Sequence, residues 1–203
     1  IAPVAELLVL CEKYNAWLLL DDAHGFGVVG KEGRGIVSHY GLSSPRIIYM
    51  ATLGKAAGVS GAFIAGQEVV IETLIQYARS YIYTTAMPPL LSYALLKSIE
   101  LIKREGWRRR KITQLTECLK KDLKLLRWNL LPSDTPIQPV IIGGNREVIQ
   151  VRDGLQDKGI LVSAIRPPTV PKSSARLRIS LSAAHSIKDV ERLATVLREL
   201  ERS

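Results

Sequence analysis

Trp17-Leu18-Leu19-Leu20-Asp21-Asp22-Ala23-His24-Gly25 sets an unbroken apolar run against two carboxylates, an imidazole and a glycine. Ahead of it, Val4, Leu7, Leu8 and Cys11 form an apolar stripe at helical spacing, opened by Pro3, a residue suited to a first helical turn. That pattern predicts a helix to about Tyr14-Asn15. An apolar run that follows a helix without alternation reads as a buried strand of a parallel sheet. The chain thus opens on the second half of an α/β unit. It begins Ile1-Ala2-Pro3, with no Met, and is expected to start inside a domain.

Working outward, Gly25 to Gly35 is a loop holding five glycines. Arg46 to Ala51 reads as a second strand and Gly61 to Gly66 as a third. Glu68 to Arg79 has a helical pattern. Pro88-Pro89 opens a long helix with Leu90, Leu91, Ala94, Leu95, Ile99 and Ile102 on its apolar side. The character changes near Glu105-Gly106-Trp107. A basic helix is expected to about Leu126, then a turn at Leu131-Pro132-Ser133-Asp134 and a strand from Ile137 to Ile142. A helix from Arg146 to Lys158 ends at Gly159 as a left-handed cap. Strands follow at Ile160 to Ile165 and Leu177 to Leu181. Ser186 and Asp189 form a capping-box-like start to the last helix, and Ile187, Val190, Leu193, Ala194, Leu197 and Leu200 give it a core stripe. The expected architecture is α/β. Residues 1–105 would hold a mostly parallel sheet with flanking helices, part of a larger domain, and residues 106–203 a smaller α+β domain.

Composition narrows the function classes. With two Phe, seven Tyr and three Trp in 203 residues, the chain lacks the aromatic faces of a nucleic-acid stacking platform, so no nucleic-acid partner is expected. No apolar run reaches membrane-spanning length, and no membrane partner is expected. Cys11 and Cys118 stand far apart and there is no CxxC, which argues against a zinc ribbon or a disulfide scaffold and for a reducing compartment, the cytoplasm. The formal charge of +9 admits a polyanionic partner. Its densest run, Arg108-Arg109-Arg110-Lys111 with Lys120, Lys121 and Lys124, reads first as the solvated face of a helix.

Two phosphate motifs fail on inspection. Gly25-Phe26-Gly27-Val28-Val29-Gly30 fits G-x-G-x-x-G, but a dinucleotide site needs a helix opening there and an acid about 20 residues on. Lys31-Glu32-Gly33-Arg34-Gly35 is poor helix material and position 50 is Met50. Gly54-Lys55 lacks the rest of a P-loop, having Tyr49 and Ala56 where Gly and Ser or Thr belong. The three histidines, His24, His39 and His185, show no metal-ligand spacing, so no metal is expected.

What remains is a constellation at two strand ends. Asp21, Asp22 and His24 follow the carboxyl end of one strand, and Thr52 and Lys55 follow the next. That edge of an open α/β sheet is where ligands bind. A buried carboxylate can keep a pyridinium nitrogen protonated, and a lysine among small residues can form a Schiff base with an aldehyde. Taken singly, each residue also fits an ordinary role: Asp21 and His24 as loop caps, Lys55 as a surface lysine. Together, in this order, they outline a pyridoxal phosphate site.

Asp21-Asp22-Ala23-His24-Gly25 followed by Thr52-Leu53-Gly54-Lys55-Ala56 resembles the α-oxoamine synthases. These are fold-type I enzymes that use pyridoxal 5'-phosphate to join an amino acid to an acyl thioester with loss of carbon dioxide. Tyr83-Thr84-Thr85-Ala86-Met87-Pro88-Pro89 and Ile165-Arg166-Pro167-Pro168-Thr169-Val170-Pro171 with Ala175-Arg176-Leu177-Arg178-Ile179 extend the resemblance to about Leu197. It implies a role for each matched residue. Lys55 would carry the cofactor and move the α-proton, Asp21 would pair with the pyridine nitrogen, and His24 would bond the phenolic oxygen. Thr52 would contact the cofactor phosphate; Thr84 and Thr85 would reach the phosphate of a neighbouring subunit, which implies a homodimer. Arg178 would hold the amino-acid carboxylate, Thr169 would touch substrate and Arg166 would help close the site. As plain structure, Arg178 is an exposed strand arginine and Arg166 a loop charge. The implied substrates are L-alanine and pimeloyl-CoA or its acyl-carrier-protein equivalent. The family's chains are nearly twice this length, so the 203 residues alone are expected to be inactive. The rivals are an α-oxoamine synthase with another acyl chain (of the aminoketobutyrate-CoA ligase kind), a general fold-type I aminotransferase and a non-catalytic basic interaction domain.

Overall fold

Pro3 precedes helix α1 (Val4–Lys13), whose Val4 and Leu8 are buried against Leu18 and Leu20 of strand β1 (Leu18–Asp21). The structure, a computed structural model, describes residues 1–202. The chain divides into two units, Ile1–Gly106 and Trp107 onward, each with its own sheet.

In the first unit, β1 leads through a glycine-rich loop and a short 3-10 turn (Lys31–Gly33) to helix α2 (Ile36–His39). Strand β2 (Ile47–Thr52) lies parallel to β1, with Leu20 opposite Tyr49 and Asp21 opposite Met50. Strand β3 (Ala62–Ala65) pairs with β2 in the opposite sense, Thr52 facing Ala62, so this three-stranded sheet is mixed rather than mostly parallel. The connection is short: nine residues, 53–61, cannot supply the crossover that a parallel return requires. The expectation that the 17–20 run is buried throughout also needs correcting. Leu18 and Leu20 face the core, while Leu19 is 64% exposed. Helices α3 (Glu68–Tyr77), α4 (Arg79–Ile82) and α5 (Pro89–Arg104) complete the unit. Pro89 at the first position of α5 is placed where its missing N–H costs nothing.

Helix α6 (Gly106–Asp122), which starts on the last residue of the first unit, opens the second, which runs through β4 (Asn129–Leu130), β5 (Ile137–Gly143), α7 (Asn145–Asp157), β6 (Ser163–Ile165), β7 (Ala175–Ser180) and α8 (Ile187–Arg202). The strands form an antiparallel sheet in the order β4-β5-β7-β6. Alternating residues of β5 and β7, among them Val140, Leu177 and Ile179, pack against Leu115 and Leu119 of α6, Val148, Val151 and Leu155 of α7, and Val190, Leu193 and Leu197 of α8. Each such fully buried leucine contributes roughly 2 kcal/mol by leaving water. The capping box at Ser186 closes as expected: the Asp189 carboxylate accepts the Ser186 N–H at 2.7 Å, and the Ser186 hydroxyl accepts the Asp189 N–H at 3.2 Å. Gly159 ends α7 at φ +74.

Two boundaries differ from the sequence expectation for the same kind of reason. Helix α6 stops at Asp122 instead of Leu126, because the amides of Leu126, Arg127 and Trp128 turn to the buried carboxylate of Glu201 on α8. The strand expected from Ile160 starts at Ser163, because the Ile160 N–H is still bonded to Leu155 at the end of α7 and Leu161 faces solvent.

Candidate active site

Because β1 and β2 run parallel, both end at the same edge of the sheet. Asp21 closes β1 and Thr52 closes β2. The chain after Thr52 turns tightly: the Leu53 N–H donates to Gly61 O at 2.8 Å, Val59 N–H to Leu53 O at 2.9 Å and Gly58 N–H to Lys55 O at 3.0 Å. Lys55 projects from this turn into solvent, and its Nζ donates to Thr52 Oγ1 at 2.9 Å. The Ser98 hydroxyl of α5 ties the turn down by donating to Ala57 O at 2.6 Å.

The glycine loop comes against the same turn. A Cβ on Gly27 would sit 2.7 Å from the Ala56 Cβ, one residue past Lys55, and Ile102 of α5 lies beside both Gly27 and Gly33. The loop after β1, the turn after β2 and helix α5 thus meet at one place, and the sequence-derived residues Asp21, Thr52 and Lys55 lie around it. Asp21 is exposed and its Oδ1 accepts the Ala23 N–H at 3.0 Å. His24 is exposed on the loop.

Asp22 was placed in the strand-end constellation by the sequence but given no role there. It is 6% exposed, and its Oδ2 accepts the Ile36 N–H at 2.8 Å and the Tyr49 hydroxyl at 2.6 Å. Burial, then the bond to Asp22, pushes the Tyr49 phenol well above its usual range. Gly25 and Gly35 are glycines for this carboxylate: a Cβ on either would land on an Asp22 oxygen. The signal available in the sequence was the second acid at the strand end followed by five glycines.

The remaining expected residues are placed as follows. Thr84 and Thr85 lie exposed between α4 and α5, the Thr84 hydroxyl donating to Ser80 O at 2.5 Å. In the second unit Arg178 lies exposed on β7, opposite Pro139 and Ser163 on its two neighbours. Arg166 and Thr169 are exposed on the loop after β6, with Thr169 N–H donating to Arg166 O at 3.0 Å. A cavity of about 1010 Å³ in this unit, lined by Arg127, Arg146, Lys172 and the Gly143-Gly144 turn, includes none of the expected site residues.

The sequence pattern of the aminotransferase class I and II family matches residues 1–197. The chain belongs to that family. It is 66% identical over 202 residues to an 8-amino-7-oxononanoate synthase of Nitrosospira multiformis, covering 100% of this chain and 51% of the relative. Among solved structures, it superposes with a TM-score of 0.91 on a serine palmitoyltransferase carrying its pyridoxal phosphate internal aldimine, at 26% identity over all of this chain and 51% of the other. It superposes with a TM-score of 0.81 on an 8-amino-7-oxononanoate synthase of Francisella tularensis, at 31% identity, covering 96% of this chain and 57% of the other. The fold is therefore the fold-type I one, and the chain spans about half the length of the curated relatives it matches.

Proposed function

We propose that this chain supplies the lysine-bearing half of a pyridoxal phosphate-dependent α-oxoamine synthase. It would condense L-alanine with pimeloyl-CoA, or its carrier-protein equivalent, to 8-amino-7-oxononanoate in biotin biosynthesis. The observation that carries this reading is the pair of parallel strand ends that puts Thr52 and Lys55, 2.9 Å apart, beside the exit bearing Asp21. This donor set fits the cofactor: an exposed primary amine for an aldehyde, an acid for a ring nitrogen and a hydroxyl for a phosphate. The 66% relative favours alanine and a pimeloyl thioester over the serine palmitoyltransferase alternative.

When bound, pyridoxal phosphate supplies an aldehyde that takes an amine and a ring that spreads carbanion charge. The Asp21 carboxylate holds the proton on the ring nitrogen, and His24 donates to the phenolic oxygen. Thr52 holds the phosphate, and Thr84 and Thr85 contact the phosphate bound by the neighbouring subunit of a homodimer. Arg178 grips the amino-acid carboxylate with a planar two-pronged donor, while Thr169 orients the substrate and Arg166 closes over it. Lys55 takes the proton from the α-carbon of alanine. A carbon–carbon bond then forms to the acyl carbonyl as the thiolate leaves, carbon dioxide departs and Lys55 returns a proton. The setting is the cytoplasm, and the partners are small molecules and a second copy. The 203 residues on their own, spanning half of their relatives, are inactive in this reading.

Borohydride reduction with pyridoxal phosphate, followed by mass spectrometry, tests it. A pyridoxyl adduct mapped to Lys55 and lost in K55A supports the assignment. An unmodified Lys55 overturns it and leaves the basic interaction domain. In the full-length enzyme, ketone formation from L-alanine and pimeloyl-CoA, absent with other acyl thioesters, separates this reaction from its sister enzymes, and ketone formation by the 203 residues alone would overturn their expected inactivity.

A further inference from the structure

Asp22 is a buried acid that no step above uses, and it lies in the chain between two groups assigned to the cofactor, Asp21 and His24. Its backbone continues the sheet, the N–H donating to Met50 O at 2.8 Å, and its carbonyl accepts the Gly25 and Phe26 amides at 3.0 Å each. Its carboxylate is held from two further directions. The Ile36 amide arrives from fourteen residues on, where α2 begins without a cap of its own at Gly35. The Tyr49 hydroxyl arrives from the neighbouring strand. The Tyr49 ring is itself braced against Phe63 at 5.9 Å, and Phe63 meets Phe26 of the glycine loop edge-on at 5.4 Å. Asp21, by contrast, is exposed, and its carboxylate bonds the nearby Ala23 amide. A catalytic carboxylate must be held to about 0.5 Å by groups whose own positions are locked. Here the locking groups sit one residue further along the chain.

We propose that Asp22 and Tyr49 are positioning residues. The Tyr49 hydroxyl and the Ile36 amide lock the Asp22 carboxylate, and that lock fixes the strand exit that carries Asp21 and His24 to the cofactor ring. The inference rests on the reading of Asp21 and His24 given above.

The test uses the full-length holoenzyme, which this chain supplies in part, and two variants of strand β2. Y49F removes the hydroxyl and keeps the ring against Phe63. I47V trims a buried group two residues earlier in the same strand and leaves the pair intact. Affinity for pyridoxal phosphate is read from visible absorbance, together with kcat and KM for L-alanine and the melting temperature. Y49F is expected to weaken cofactor binding and to lower kcat by about tenfold each, below the roughly hundredfold cost of a 1 Å misplacement, with KM within about twofold. I47V, with a comparable loss of melting temperature, should keep parental affinity and kcat. D22N should move both quantities further in the same direction, and Y49F alone decides if D22N does not fold. If Y49F melts earlier but binds cofactor and turns over like the parent, the pair is structural and the proposal falls. A parent that binds no pyridoxal phosphate overturns the functional reading first, and this inference with it.

Discussion

Replacing Glu201 with alanine is expected to destabilise the second unit by about 3–4 kcal/mol at pH 7. The Glu201 side chain is buried on α8 and takes the amide of Leu126 on one oxygen at 2.8 Å and the amides of Arg127 and Trp128 on the other at 2.7 and 2.8 Å. A hydrogen bond to a charged group contributes about 1.5–3 kcal/mol, and a buried donor left alone costs about 1–3 kcal/mol. The three bonds share one carboxylate, so they do not sum. Leu126 and Arg127 are exposed and water can take over their amides, whereas Trp128 is buried and its amide stays orphaned. E201Q keeps the shape with a single acceptor oxygen and should lose about 2 kcal/mol. The pH dependence gives a second check. Burial raises the Glu201 pKa, but the three amides and the Arg127 charge outweigh it and hold the group below the ordinary glutamate value. A carboxylate depressed in the folded state stabilises above its unfolded pKa, and that stability is lost as pH falls through the folded one. The gap between parent and E201Q should therefore shrink on acidification below the ordinary glutamate range. Urea unfolding followed by Trp128 fluorescence measures both effects. A cost for E201A under about 0.5 kcal/mol, or a gap that widens in acid, would refute the reasoning.

Two further substitutions test the packing. In G35A the new Cβ meets an Asp22 oxygen and the Tyr49 hydroxyl at a residue whose φ is +85, so thermal unfolding of the first unit should show a loss of about 3 kcal/mol or more; a loss below about 1 kcal/mol would mean the loop repacks freely. Thr116 on α6 buries a hydroxyl with no hydrogen-bond partner among the described residues, and T116V should raise stability in urea by about 1 kcal/mol, with destabilisation counting against the reading.

The features that were legible in the sequence are those carried by neighbours. Apolar runs ending in Asp21-Asp22 and in Thr52 marked two strand ends, and three-residue spacing was enough to bring Lys55 to Thr52. Alternation along β7 marked Arg178 as facing away from the core. The features that stayed hidden depend on distant partners. Nothing local to Leu123–Leu126 announces that Glu201 will claim the next three amides. Nothing near Asp22 names Tyr49 or Ile36, and a two-residue strand such as β4 carries too little pattern to register. The sense of β3 followed from the length of its connection, which the apolar pattern does not encode.

The glycines after β1 answer to an anion that never dissociates. In a nucleotide-binding turn, glycines clear space for a phosphate that comes and goes with its concentration. Here Gly25 and Gly35 clear the same kind of space for the chain's own Asp22 carboxylate. The turn carries a tethered counterpart of that phosphate, present in every molecule at every concentration. Only the first glycine of the G-x-G-x-x-G spacing, Gly25, serves that acid; Gly27 makes room for Ala56 and Gly30 for the backbone of Gly35, so the spacing arises here from packing within the chain and not from a nucleotide.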